Sequence, residues 1–588
     1  MRQIFYEPTR WNLQRLYPNE MDETLANELN EIKMLIHHLK EETFSTVNAE
    51  SLLDEKMLQI FSKVRSRLEK AEYYCYCLSS ESKDHSIITS LHNNITTLKD
   101  DVHSILLDWK KYISKLPVEI QSEWYSLSFV QPFTFDLSTS IYNDLENQMI
   151  NVTKNELNQW EAMYTQLKSK LKVEFIYDDK KVVSFSELNH LAMNDDDPIK
   201  RMEAFEFQTC KLDQEKDLFA TIFNNFTRLR LLQNDTLQQD DILSNSLQLN
   251  GISRKSLFTM WETIDNNFKR FSRYLDFKKN NLDKLTWHQL MTSQKDKQSK
   301  MSFSKAVEEI FNSLKNIDDE MANFALHVIS DNWVDAEPRT NKPSGGFCAP
   351  FLSEGESRIS LRYEGTIESA RILAHELGHA WHFKQLKDGP SISFLEERFP
   401  MSIAECSSIF FELIFVDHLK TVTSDVELKQ SLLNYKIQNS LNYLLAIRGA
   451  FIFEQLVYEK SKDGPLSPTQ LEELSIESQK KAYGDSLEQY QPFVWIKYGH
   501  FYASTVPFYN YPYTFGYLLS LGLLAIAKQE GSEFSTKFKG FLSETGVRTV
   551  EELVYDYFTI DLSSPEYWQQ SIDHIIKDME EYIQLSTS

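Results

Sequence analysis

The sequence predicts a mainly α protein with a small β-sheet next to one histidine-bearing helix. Three observations carry this. Glycine and proline number 16 each in 588 residues, too few breakers for a strand-and-turn architecture. Most of the chain repeats apolar residues at helical spacing. Only two short segments have the texture of strands.

Residues 20–115 are rich in Leu, Glu and Lys and nearly free of glycine and proline, and ANELNEIKMLIHHLKEE is one amphipathic stretch within them. Residues 140–175 read the same way. At 172–188, KVEFIYDDKKVVSFSEL places two β-branched runs around an Asp-Asp-Lys-Lys turn, which predicts a small hairpin. A domain boundary is expected there, dividing 1–185 from 186–588. Helical text resumes at 196 and runs to about 330. TNKPSGGFCAP, 340–350, reads as a loop with paired glycines, Gly345 and Gly346. SRISLRY, 357–363, alternates polar and apolar residues and predicts a strand. Helices follow to the end, interrupted by DGPLSP at 463–468 and by an aromatic segment at 493–517. There is no internal repeat and no low-complexity tract.

Sixty-two Lys and Arg face 86 Asp and Glu, for a formal net charge of −24. That excess argues against nucleic acid or an anionic membrane as a partner, since both are polyanions. The longest apolar run, around 517–527, is too short to span a bilayer. MRQIFYEPTRWNLQRLYPNE has no apolar signal core. The five cysteines are an odd number; Cys75 and Cys77 lie too close for a routine bridge, and the rest are scattered. Reduced, mostly buried thiols and a cytoplasmic location are the expectation. Nothing in the sequence sets an oligomeric state.

Residues 372–383 read ILAHELGHAWHF. Thr366 after Gly365 is a good helix N-cap, and Asp388-Gly389-Pro390 is a helix stop. Between them His375 and His379 share one face, one turn apart, and can grip one ion from the same side. Glu376 points about 100° round the helix. There it is poorly placed as a ligand but can act as general base on water held at the metal. The bland alternative is a helix with satisfied polar residues. The apolar flanks ILA and AWHF oppose it, because burying two imidazoles and a carboxylate without partners is costly. One Zn2+ ion is therefore expected.

A catalytic zinc needs a third protein ligand and an open position. Metzincin spacing would put glycine at 382 and histidine at 385, but the chain has His382 and Gln385. His382 is read as a supporting or partly exposed residue. A glutamate roughly 20 residues past the second histidine would fall at Phe399, with Glu396 and Glu397 close by. The better candidate is Glu405 in PMSIAECSSIFFELIF, with 25 residues between it and His379. Glu412, two turns further on the same face, can orient a ligand histidine. Ser402-x-x-Glu405 also matches a capping box, a competing structural role for Glu405.

FVWIKYGHFYASTVPFYNYPYTFGY, 493–517, holds 11 aromatic residues in 25, against 13% for the chain. Most of these rings belong to a packed core. Yet His500 and the tyrosines at 502, 509, 511, 513 and 517 offer many donors for a developing oxyanion. Gly499 and Gly516 allow close approach or movement of the backbone.

With these pieces in place, the chain resembles the oligoendopeptidase F branch of the thimet oligopeptidase-like zinc metallopeptidases. The resemblance is weak at WNLQRLYP and VVSFSELNHLAMNDDDPIKRMEAF. It grows at NKPSGGFCAP and is strongest at RILAHELGHAWH, SIAECSSIFFE and HFYASTVPFYNYPYTFGY. It implies that His375, His379 and Glu405 ligate zinc and that Glu376 is the general base. His500, Tyr509 and Tyr513 match the family's substrate and transition-state positions. The chain departs from the family at Pro512, where glutamine is common. The residues between His500 and Pro507 leave open whether Tyr502, Tyr511 or Tyr517 holds the key hydroxyl. Gly345 and Gly346 match the glycine-rich loop that borders the family's cleft. The implied fold has two helical lobes around a deep central channel admitting short unstructured peptides, with 186–588 as the catalytic part. The implied activity is endopeptidase action on oligopeptides, with SRISLRY expected to bind the peptide as an added strand. A zinc carboxypeptidase or aminopeptidase on a similar scaffold, and a peptide-binding protein that has lost catalysis, are the alternatives.

Overall fold

In the computed structural model the breaker-poor text is helical and the two strand-like segments are strands. The structure describes residues 6–587 apart from 18–20, 49–52, 82–84, 131–143, 178–179, 281, 283, 293–299, 340–341, 343–344 and 388–398. The described chain forms two compact units, each assembled from separated stretches. The first comprises Met1–Ile141, Lys300–His418 and Leu523–Thr559; the second comprises Tyr142–Ser299, Leu419–Gly522 and Ile560–Ser588. These units are defined by contacts. The division at 185–186 concerns segments of sequence and stands as a proposal.

In the first unit, helices Met21–Asn48, Glu55–Glu81 and His85–Ile113 account for the amphipathic N-terminal text. Their apolar stripes share one core, in which Phe61 and Trp109 lie 4.8 Å apart and the Trp109 indole N–H donates to Thr43 Oγ1 at 2.7 Å. Ala349 and Phe351 add to the same core.

Strands β1 (Lys172–Tyr177) and β2 (Lys180–Ser184) form the expected antiparallel hairpin in the second unit. The sheet of the first unit has β3 (Val334–Asp335), β4 (Gly346–Phe351) and β5 (Glu356–Leu361) in the order β3-β5-β4. Two expectations change here. The glycine pair does not sit mid-loop, because β4 begins at Gly346. SRISLRY supplies the middle strand, parallel to β3 and antiparallel to β4, and every residue of β5 is buried. Its alternation is not that of a half-exposed strand. Arg358 is interior, held by Glu356 Oε2 at 2.9 Å and by the carbonyls of Asn12 and Ser357. With both sides of β5 occupied, it cannot accept a peptide as an added strand. Among the described residues β3 and β4 are the sheet's outer strands, and β4 is the longer of the two.

The second unit is built along the 39-residue helix Pro198–Thr236, which starts where Asp197 caps Ile199 N–H and Pro198 takes the first helical position. Its phenylalanines 219, 223 and 226 join Leu157, Phe453, Trp495 and Tyr502 in one core. The C-terminal helix Pro565–Thr587 packs on Val426–Leu441, where Asp578 pairs with Lys436 and, at 3.0 Å, with Lys420. No helix among the described residues is long and apolar enough to cross a membrane.

Candidate active site

The motif helix runs over Ile367–Lys387. Gly365 turns the chain at φ +74°, and Thr366 Oγ1 accepts the Ser369 N–H at 3.2 Å, so the predicted cap is in place. Asp388-Gly389-Pro390 and the acids Glu396 and Glu397 lie outside the described residues. One turn apart, the His375 and His379 rings stand 5.0 Å between centroids and nearly perpendicular, at 82°.

What brings Glu405 to them is a backbone-to-backbone crossing. Helix Met401–Val422 passes the motif helix at Gly378. A Cβ there would lie 2.6 Å from the Ser407 carbonyl oxygen and 2.7 Å from Ser408 Cα. The Ser407 hydroxyl donates to the Gly378 carbonyl at 2.9 Å. As a result Glu405 Oε2 lies 3.6 Å from His375 Nε2, and Ser408 Oγ donates to that same oxygen at 3.3 Å. Ser402 sits inside the first turn rather than at the cap, so a capping box is not what holds Glu405. Ligand atoms of His375, His379 and Glu405 all fall within 4.8 Å of one another.

Glu412 Oε2 lies 3.1 Å from His375 Nδ1, and its other oxygen lies 3.1 Å from Arg371 Nη1. Arg371 is one turn before His375 on the motif helix and also pairs with Glu368 at 3.0 Å. A carboxylate on Nδ1 fixes the ring and turns Nε2 toward the ligand position. Arg371 was not singled out from sequence; its only signal is its i−4 spacing from His375.

Glu376 is buried. Its approach to β4 depends on Gly346, where a Cβ would sit 2.8 Å from Glu376 Oε1 and 2.8 Å from Ile372 Cγ2. Gly345 needs its hydrogen side chain for a different reason, a φ of +105°. Tyr76, from a segment read only as amphipathic helix, lies edge-on to Phe347 of β4 at 4.6 Å. Its hydroxyl pKa is raised by burial, by Cys77 and by the charge of Glu376. His382 is fully buried, its Nε2 3.0 Å from Thr545 Oγ1, so it is a core residue and not partly exposed.

The electrostatics test whether a cation fits. Burial, opposed by His375 and aided by Glu405 and Glu412, lifts Glu376 to about 7. Burial also lifts Glu405, against His375 and Ser408. Burial disfavours the His375 imidazolium, yet the Glu412 hydrogen bond and the surrounding carboxylate charges hold it up at about 9. His379 is pushed well below its usual value by burial and by His375 and His382. Three acids thus crowd one imidazole, and the groups gather protons because positive charge is short there. Two imidazoles and a carboxylate at this spacing are the donor set of a divalent, tetrahedral, borderline-soft ion with one position left open. The residues fit the metal.

The second unit holds the aromatic segment. His500 lies on a 3-10 turn, Gly499–Tyr502, and its ring stacks on Tyr509 at 5.1 Å and 5°. Tyr513 is 6.1 Å from Tyr509, and both tyrosines are half-buried. Burial and the charge of Lys168 lower the His500 pKa. Tyr502, Tyr511 and Tyr517 are core residues instead. Tyr502 stacks on Tyr164 at 3.8 Å; the Tyr511 and Tyr517 hydroxyls meet Ser246 at 3.3 Å and Ser440 at 2.7 Å. Pro512 occupies the first turn of helix Tyr511–Glu530, where a missing N–H costs nothing.

The model of a family described as peptidase family M3 matches residues 191–574. The chain is 24% identical over 561 residues to an oligoendopeptidase F homolog of Borreliella burgdorferi, covering 92% of each. It is 21% identical over 322 residues to the chromosomal oligoendopeptidase F of Lactococcus lactis subsp. cremoris, covering 54% of this chain and 52% of that one. Its fold is similar to a solved chain from Chlamydophila abortus, with a TM-score of 0.81, 18% identity and 98% of both chains covered. It is also similar to oligoendopeptidase-F from Enterococcus faecium, with a TM-score of 0.70, 14% identity and 96% and 99% coverage.

Proposed function

The chain belongs to peptidase family M3 and is a metallopeptidase, and from that premise we propose that it is a zinc-dependent endopeptidase hydrolysing internal bonds of oligopeptides. The observation that carries the reading is the convergence of His375, His379 and Glu405 within 4.8 Å, with Glu376 on the same turn. Those three residues would hold one zinc ion. Bound there, the ion supplies Lewis acidity, polarising a carbonyl and making water a stronger acid.

The chain's own groups do the rest. Glu376 takes a proton from the attacking water and passes it to the leaving amine nitrogen. Glu412, backed by Arg371, keeps the His375 ring in its ligand orientation. Gly346 leaves room for the Glu376 carboxylate, and the open edge of β4 accepts the peptide main chain, a mode that tolerates many sequences. The family resemblance gives His500, Tyr509 and Tyr513 to the oxyanion; their position outside the core, unlike Tyr502, Tyr511 and Tyr517, supports that choice. Five cysteines held as thiols rather than disulfides support a cytoplasmic location.

The experiment is metal analysis of the purified protein together with digestion of end-blocked peptides of increasing length. We expect one zinc per chain and internal cleavage that fades as the peptides lengthen. Cleavage only of peptides with a free terminus would establish the carboxypeptidase or aminopeptidase alternative. Zinc binding without any cleavage would leave the peptide-binding alternative, which has no use for Glu376.

A further inference from the structure

The segment between His500 and Tyr509 has no regular hydrogen-bonded structure after Tyr502, yet it is tied down at both ends by side chains. Tyr164 donates to the Ile496 carbonyl at 2.8 Å, and Lys168 to that of Lys497 at 2.6 Å. Arg230 donates to the Ala503 carbonyl at 2.7 Å, and Ser504 N–H reaches Glu161 Oε2 at 3.0 Å. The last tie is Glu454 Oε1, which accepts the Phe508 N–H at 3.0 Å.

That last tie sits at the segment's strained point. Phe508 has φ +54°, a left-handed conformation that side chains other than glycine and asparagine rarely adopt. Helix Ile447–Lys460 grips it with a single face. Phe451, one turn before Glu454, lies 5.1 Å from the Phe508 ring, and Tyr458, one turn after, lies 5.7 Å from it. Between them the Glu454 carboxyl holds the backbone. Glu454 is only 6% exposed. Burial lifts its carboxyl to about 8, against the Phe508 hydrogen bond and the charge of Arg230. A buried acid is an expensive way to satisfy one N–H, and strained backbone persists where the surroundings over-determine it. The next residue is Tyr509, whose ring lies flat on His500. The turn at Phe508 therefore sets where the Tyr509 ring points.

We propose that Glu454 is a positioning residue for hydrolysis: it holds Phe508 in its left-handed turn and so keeps Tyr509 stacked on His500. This rests on the reading of His500 and Tyr509 as oxyanion donors.

The test compares E454Q, which keeps an oxygen acceptor, with E454M, which keeps the length and removes both oxygens. Zinc content and the cleavage kinetics of an end-blocked peptide are measured for each. We expect E454M to lower kcat about tenfold or more with KM within about twofold, because the donors are displaced while the peptide still binds. E454Q should restore kcat to within about threefold, with the same zinc content throughout. E454D is the third variant: its carboxylate is one methylene short of Phe508, so it should also lose kcat and not KM, and it decides the matter if E454M does not fold. Full kcat in E454M or E454D, or a loss that E454Q shares, overturns the proposal. Y509F is run alongside. If Y509F keeps full kcat, the reading of Tyr509 as an oxyanion donor has failed; if Y509F loses kcat and E454M does not, only the positioning role has failed.

Discussion

At the scale of single residues, spacing carried the chemistry as far as a helix carries it. His375, Glu376 and His379 lie on one turn, so backbone geometry alone places two imidazoles together with a carboxylate beside them. Replacing Glu376 by Gln removes the proposed proton acceptor and leaves the proposed ligands. We expect kcat to fall about 10³-fold with one zinc retained; substantial turnover by zinc-loaded E376Q would remove Glu376 from its role. Glu405 and Glu412 lie seven residues apart on one helix and differ in what they touch. E405A should lose most bound zinc on dialysis against a weak chelator. E412A should weaken metal affinity by about 10–100-fold if the Glu412 contact with His375 Nδ1 orients that ring as proposed. Equal affinity in both variants and the parent would return these acids to purely structural roles. Arg371 was invisible in the sequence because its partner Glu412 is 41 positions away, across a helix crossing.

At the scale of elements, the crossing of helices Ile367–Lys387 and Met401–Val422 is the step on which the proposed metal set depends. It needs a hydrogen at position 378. Gly378→Ala puts a methyl group against Ser407 and Ser408 backbone and must push the helices apart. We expect a loss of about 1–3 kcal/mol in stability and a weaker grip on zinc, read as thermal unfolding with and without chelator. A parent-like melting temperature and affinity would show that the crossing tolerates separation. The strands teach a second lesson. The alternation in SRISLRY correctly gave a strand and misled about its surroundings, because a buried Arg358 satisfied by Glu356 and backbone carbonyls looks in sequence like a solvent-facing residue. Which strand of a sheet is its edge is decided by pairing with segments far along the chain.

At the scale of the whole molecule, stability should respond to acid through histidines buried neutral. His288 in the second unit is 3% exposed, its Nε2 2.6 Å from the Ala192 carbonyl. Burial, opposed by that bond and aided by Lys497 and Arg201, lowers it from 6.5 to about 4. A depressed folded pKa means the unfolded chain binds the extra proton. The contribution is therefore fully present above pH 6.5 and is lost as pH falls toward about 4, on the order of 3 kcal/mol in all. We expect the unfolding midpoint to drop over that window and H288N to flatten the drop; an unchanged slope in H288N would assign the acid sensitivity elsewhere.

By itself the sequence determined the helical class, the hairpin within 172–188, the capped motif helix and the residue types of the proposed metal set. All of these are set by short-range periodicity and by side-chain chemistry that travels with the chain. Only the tertiary structure decided that Gly378 lets Glu405 reach His375, that Arg371 backs Glu412, that β4 and not β5 has the open edge, and that Tyr502, Tyr511 and Tyr517 are core rings while Tyr509 stacks on His500. Each of those depends on two segments meeting, often tens of residues apart, and a meeting of surfaces is fixed by packing and burial, which no local period encodes.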